Sequence, residues 1–178
     1  MTRVVRRIVV TTVVLLSARG DATAQDKPGC DAPVYRQLDF WVGTWDVRLD
    51  GRDTVVGTNT IERTLDGCAI LEHWTDASGS RGKSLFYFHR ADHVWKQVWV
   101  TDLGRVKEKR MLSESTSTVV VFQGEVRLDD GARVLDRTTL TDLGNGRVRQ
   151  RIAQSADGGA TWKTGFDAIY TRRPTVGK

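Results

Sequence analysis

The chain has 178 residues, with 27 Lys and Arg against 22 Asp and Glu, a formal net charge of +5. Four of the basic side chains (Arg3, Arg6, Arg7, Arg19) and one acidic (Asp21) lie in residues 1–24, so the other 154 residues carry 23 and 21, a net +2. That near balance excludes a basic nucleic-acid binder, and the length fits one domain with a sizeable core.

The first element in chain order is a leader. The basic run MTRVVRR, the apolar run IVVTTVVLLSA and the small-x-small end at Ala22–Ala24 read as a secretory signal peptide over 1–24, with Gln25 first in the mature protein. The apolar run is too short to span a bilayer. No cysteine stands at the cleavage site, so no stable membrane anchor is expected after processing. The expected location is secreted, in the periplasm, with residues 25–178 as the single domain. An oxidising compartment favours a disulfide between Cys30 and Cys68. The alternative is a reactive or metal-bound pair, but neither cysteine has C-x-x-C or His-rich surroundings.

A short helical segment is predicted at 32–40, APVYRQLDF. Beyond it the hydrophobic pattern has period two almost everywhere. Trp41, Gly43, Trp45, Val47 and Leu49 share one face, as do Ile70, Glu72 and Trp74, and Trp95, Gln97 and Trp99. Turn signals such as LDG at 65–67, ASGSRG at 77–82, DLGNG at 142–146 and DGG at 157–159 divide these runs. The pattern predicts about ten strands, at 43–50, 56–64, 68–75, 83–89, 95–101, 105–114, 117–128, 132–141, 147–155 and 163–172. A meander of that size buries one face and loses its exposed edges most simply by closing. The expected fold is all-β, an antiparallel up-and-down barrel of about eight to ten strands with a short N-terminal helix.

Several motifs look like chemistry and read better as structure. SADGGATW at 155–162 has the Asp-box pattern known from sugar-cleaving propellers. Its residues build a turn: Ser155 and Asp157 bond backbone, Gly159 relaxes the chain and Trp162 packs beneath. One copy in a chain of this length makes no propeller. ASGSRGKS at 77–84 matches a loose phosphate-loop pattern, but LFYFHR follows it and reads as strand, where a phosphate loop needs a helix. His89 and His93 flank a predicted turn, and no carboxylate or Cys cluster completes a metal shell around them or His73. No metal site is expected. Asp129 and Asp130 are adjacent on a turn and cannot face each other across a glycosidase cleft.

Glu72 is different, because the alternation turns it inward between Ile70 and Trp74. A buried carboxyl needs a partner or a proton. Gln97, between Trp95 and Trp99, and Gln150, between Val148 and Ile152, are placed the same way. The three predict a polar spot inside the barrel. It serves either a structural hydrogen-bond network or a guest.

DFWVGTWDV at 39–47 resembles the lipocalin and calycin signature, a Gly-x-Trp on the first strand after a short helix. The resemblance implies that Trp45, with Gly43 before it, plugs one barrel end under a late Arg, for which Arg172 in FDAIYTRR is placed. Along its length the chain also resembles the DUF1579-type bacterial secreted proteins, through GCAILEHW at 67–74, GKSLFYF at 82–88, WKQVWV at 95–100 and SADGGATWKTGFDAIYTR at 155–172. That family brings a barrel and no established activity. Nitrobindin-type haem barrels share the Gly-x-Trp but hold iron with a late histidine, and this chain has none after His93, so no haem or other cofactor is expected. The expected role is non-covalent binding of a small, mostly apolar molecule. Trp74, Phe86, Phe88 and Trp99 would be the walls, and Glu72, Gln97 and Gln150 would orient it. The competing readings are a barrel enzyme, an isomerase or hydrolase with Glu72 as acid or base, and a closed structural or partner-binding barrel with no ligand.

Overall fold

Strict alternation of inward and outward side chains, broken by turn residues, produces ten consecutive hairpin-connected strands in a computed structural model that describes residues 29–174. The leader expected over 1–24 lies outside the described residues. The strands are β1 (Gly43–Leu49), β2 (Val55–Thr64), β3 (Ala69–Asp76), β4 (Arg81–His89), β5 (Val94–Thr101), β6 (Val106–Met111), β7 (Val119–Arg127), β8 (Arg133–Gly144), β9 (Arg147–Ser155) and β10 (Lys163–Arg172). Each pairs antiparallel with its sequence neighbours, and β10 returns to β1 to close the barrel. All ten predicted strands are present, with ends displaced by at most three residues.

The turns follow their residue chemistry. Asn145 and Gly146 join β8 to β9 with φ of 51° and 67°, the two left-handed positions a tight hairpin needs. The Asp-box joins β9 to β10. Ser155 Oγ donates to Asp157 Oδ1 at 2.6 Å and accepts from the Gly159 amide at 2.8 Å, and the Thr161 amide donates to Asp157 at 2.9 Å. Trp162 lies beneath, with the Arg137 guanidinium 4.3 Å from its ring centroid. The segment 77–80 is likewise a hairpin turn, in which the Asp76 carboxylate accepts from the Ser78 and Ser80 amides at 2.8 and 3.0 Å. No helix follows it, only β4.

One barrel end is sealed. In place of a continuous helix at 32–40 there are two 3-10 turns, Pro33–Arg36 and Asp39–Trp41, which bury Tyr35, Leu38 and Trp41. All three large side chains are buried at this end. Trp95 Nε1 donates to the Val34 carbonyl at 2.9 Å, and Tyr35 meets Phe88 edge-on at 5.4 Å between ring centroids. Cys30 and Cys68 are bonded, with Cα atoms 4.9 Å apart, tying this segment to the β2–β3 connection. Trp45 is fully buried and donates through Nε1 to the Trp41 carbonyl at 3.1 Å. The Arg172 guanidinium lies 4.3 Å from the Trp45 ring centroid and donates to the Val42 and Phe40 carbonyls at 2.6 and 3.4 Å. Gly43 makes room for it, since a Cβ there would fall 2.0 Å from Arg172 Nη1.

The aromatic and aliphatic core fills this sealed half: Trp41, Trp45, Phe86, Trp95, Phe122 and Leu140 are all buried there. The opposite end, where β3 finishes and β4 starts, carries only hairpin turns among the described residues and is left open.

Candidate functional site

Inward positions halfway along the barrel are polar on most strands. Asn59 on β2 donates from Nδ2 to Glu72 Oε1 at 2.7 Å, and Ser84 on β4 donates to Glu72 Oε2 at 2.5 Å. Gln97 on β5 donates from Nε2 to Ser84 Oγ at 3.1 Å. Farther round, Tyr170 on β10 donates to Gln150 Oε1 at 2.5 Å. Asn59 Oδ1 and Gln97 Oε1 are buried and have no protein hydrogen-bond partner.

Glu72 on β3 is 4 % exposed. Burial raises its carboxyl above the ordinary range, against the bonds from Ser84 and Asn59 and the charge of Lys109. Burial, reinforced by the nearby Glu72 charge, also pushes the Tyr170 hydroxyl well above its usual value. Tyr170 is thus a neutral donor at any ordinary pH.

A second cluster links β6 to β8. Gly124 on β7 faces inward, and a Cβ there would lie 1.9 Å from the Glu108 carbonyl. Without that Cβ, β6 folds close over β7, and its two inward lysines reach β8. Lys107 Nζ donates to Asp136 Oδ2 at 2.7 Å, Lys109 Nζ pairs with Asp136 Oδ1, and Lys109 also donates to Thr138 at 2.6 Å. Gln154 donates to Asp136 Oδ2 at 2.8 Å. Asp136 is fully buried. Its burial works to raise its carboxyl, but the charges of Lys109 and Lys107 outweigh this and hold it below the ordinary range. Burial lowers the Lys109 ammonium despite Asp136.

Between these polar groups and the open end lies a cavity of about 190 Å³. Its floor is made by Glu72, Gln97, Gln150, Lys109, Thr138 and Tyr170, and its walls by Trp74, Trp99, Phe166, Ile152 and Lys107. The two indoles are seated on glycines of the preceding strands. A Cβ on Gly57 would fall 2.4 Å from the Trp74 ring, and one on Gly82 would fall 2.2 Å from the Trp99 ring. Phe166 follows Ala168 and Tyr170 on the inner face and pairs with Ile152, and a bulge between Thr164 and Phe166 shifts the register of β10 by one residue beyond it.

Of the residues expected to meet a ligand, Glu72, Trp74, Gln97, Trp99 and Gln150 line this cavity. Phe86 and Phe88 do not. Phe86 faces inward but packs on Phe122 at 5.5 Å between centroids, and Phe88 packs against Tyr35 and Trp95 under the sealed end. Alternation assigns their face correctly and says nothing of their height along the barrel. Lys107, Lys109, Thr138, Ile152, Phe166 and Tyr170 also line the cavity; period two places most of them inward, but only the closed sheet brings them together.

The remaining candidates stay on the surface. His89 Nδ1 pairs with Asp92 at 3.0 Å, His73 Nε2 meets Glu62 at 3.1 Å on the outer wall, and His93 occupies a turn with φ of 50°. Among the described residues, no group of three or more His, Cys, Asp or Glu is placed to hold a metal ion, and no helix is long and apolar enough to cross a membrane. No family model matches the chain, and no curated protein matches it.

Proposed function

We propose that this protein is a secreted barrel of the DUF1579 type that holds a small, mostly apolar molecule in its open-end cavity. The observation carrying this reading is the contrast between the two halves of the barrel. One half is filled by its own aromatic side chains, while the other keeps about 190 Å³ between two indoles and a phenyl ring. An apolar cavity of about 150 Å³ accepts a benzene molecule, so this one suits a single ring with a substituent. The polar floor would orient that substituent. The disulfide supports an oxidising compartment.

Native mass spectrometry of protein purified from its own source tests the reading. The expected result is a co-purified small molecule, lost on Gly82→Val, whose side chain would drive the Trp99 ring into the cavity. Protein with no added mass, and no thermal shift with any single-ring compound, overturns it.

A second reading is favoured by one observation, the buried Glu72 carboxyl that burial disposes to keep its proton at the cavity floor. That group could act as acid or base toward a bound guest. Turnover by the wild type that Glu72→Gln abolishes while still binding the guest would select an enzyme over a carrier.

A further inference from the structure

We propose that the cavity selects a small aromatic anion: one ring held by Trp74, Trp99 and Phe166, with its acidic group, a carboxylate or a group of like shape, at Lys107 and Lys109. The assignment rests on the cavity-binding reading and names the ligand class for it.

The geometry behind it begins with strand register. Lys107 pairs with Trp99, and Lys109 with Gln97, across β5 and β6. Each ammonium therefore stands beside a wall or floor residue of the cavity, and both lysines line it. They share a single carboxylate. Asp136 Oδ2 already accepts from Lys107 and Gln154, and Oδ1 pairs with Lys109. Each ammonium has three N–H groups to place. Lys107 places one on a protein acceptor, Asp136, and Lys109 places two, on Thr138 and Asp136. That leaves two N–H groups on the partly exposed Lys107 and one on the buried Lys109 for a guest.

Charge leads to the same class. The two lysines outnumber the one carboxylate that they share, although burial disfavours the charged form of Lys109. Glu72 is the other acid at the floor, and burial favours its neutral form. Asn59 and Ser84, rather than Lys109, hold it. A cation beside aromatic walls, on the partly exposed Lys107 side chain, is less well solvated than one in open water, and an anion that joins it offsets the loss. A neutral hydrocarbon would leave that cation unpaired, and a cationic guest would meet it. The volume of about 190 Å³ fits an anion of one substituted ring.

Calorimetric titration of the full mature protein with benzoate, benzamide, toluene and benzylamine tests the assignment. Benzamide matches benzoate in shape and lacks its charge. Benzoate is expected to bind about ten-fold or more tighter than benzamide, since a hydrogen bond to a charged group is the stronger one, and benzylamine to bind weakest. Lys107→Met is expected to bring benzoate to the affinity of benzamide, with Lys109 and Gln154 still holding Asp136 so that the barrel folds. Thermal unfolding of that variant confirms folding. Arg105→Ala, which removes a cation paired with Asp129 on the outer rim, is the control and should keep the preference. Benzamide or toluene binding as tightly as benzoate overturns the anion assignment and leaves the cavity reading intact. A preference for benzoate that survives in Lys107→Met also overturns it, by moving the anion elsewhere. Failure of all four compounds to bind overturns both.

Discussion

Trp45 shows how much one side chain carries in this barrel. Its ring is buried on both faces, under Arg172 and beside Trp41 at 5.8 Å between centroids. Trp45→Ala is expected to cost about 3–5 kcal/mol as a buried aromatic truncation. Arg172→Ala should cost about 1–2 kcal/mol through lost cation–π contact and packing. Urea unfolding of both variants checks this, and unchanged midpoints would disprove the plug. Glu72 makes a prediction with a sign. Its carboxyl lies above the ordinary 4.5 in the folded protein, so the native state keeps a proton that the unfolded chain releases. The stability linked to that proton is complete below pH about 4.5 and is lost as pH rises through the folded value. Glu72→Gln removes the titration and keeps the volume. The variant should lie within about 1 kcal/mol of wild type below pH 4.5, because the amide can still bond Ser84 or Asn59. Its stability relative to wild type should then rise toward pH 8. Unfolding curves of the two proteins at pH 4, 6 and 8 that stay parallel would show that Glu72 does not hold the extra proton.

Strands β2 and β4 each give up a side chain, at Gly57 and Gly82, so that an indole from the next strand can lie against the barrel wall. Gly82→Ala would place a methyl group 2.2 Å from the Trp99 ring, well inside contact distance. The ring must move, and the space open to it is the cavity. Gly82→Ala is expected to weaken single-ring ligands about ten-fold or more while costing about 1–3 kcal/mol of stability, as overpacking does. Calorimetry and urea unfolding on one preparation read both effects, and unchanged affinity would show that Trp99 is not a wall of the binding site. The same seating was not legible in the chain, because a glycine within a strand pattern signals a bulge or a close approach without naming its partner. The bulge at Gly165 is a similar case. Strict alternation through β10 places Phe166 on the inner face with Ala168 and Tyr170, but gives no warning that the pairing with β9 slips by one residue just before it.

Closure joins these devices into one body, and the disulfide holds its sealed end. Cys30 and Cys68 are 38 residues apart, a loop for which the chain-entropy model gives about 3–4 kcal/mol. Reduction, or Cys30→Ser with Cys68→Ser, should lower the urea midpoint accordingly. It should also loosen the segment carrying Tyr35 and Trp41 before the strands open, which amide exchange would detect as early loss of protection at residues 32–41. Equal midpoints with and without reductant would show that the bridge adds nothing.

The all-β class, the ten strands, the inward face of several of them and the Asp-box turn were readable from the chain, because period two, turn residues and local hydrogen bonds act between near neighbours; the plug pair of Trp45 and Arg172 came only from the resemblance to lipocalins. The sequence also marked Glu72, Gln97 and Gln150 as inward polar groups. It did not say that Glu72 would be held by Asn59 and Ser84, or that Phe86 would lie below the cavity while Trp99 lies in it. Nor did it show that two lysines of β6 would share Asp136 on β8. Those facts depend on register, stagger and curvature around a closed sheet. They are set by all ten strands fitting together at once, and by the few glycines at which one strand gives way to another. Alternation tells a residue which side of the wall it faces; only the closed wall decides how high it stands and which residues face it across the barrel.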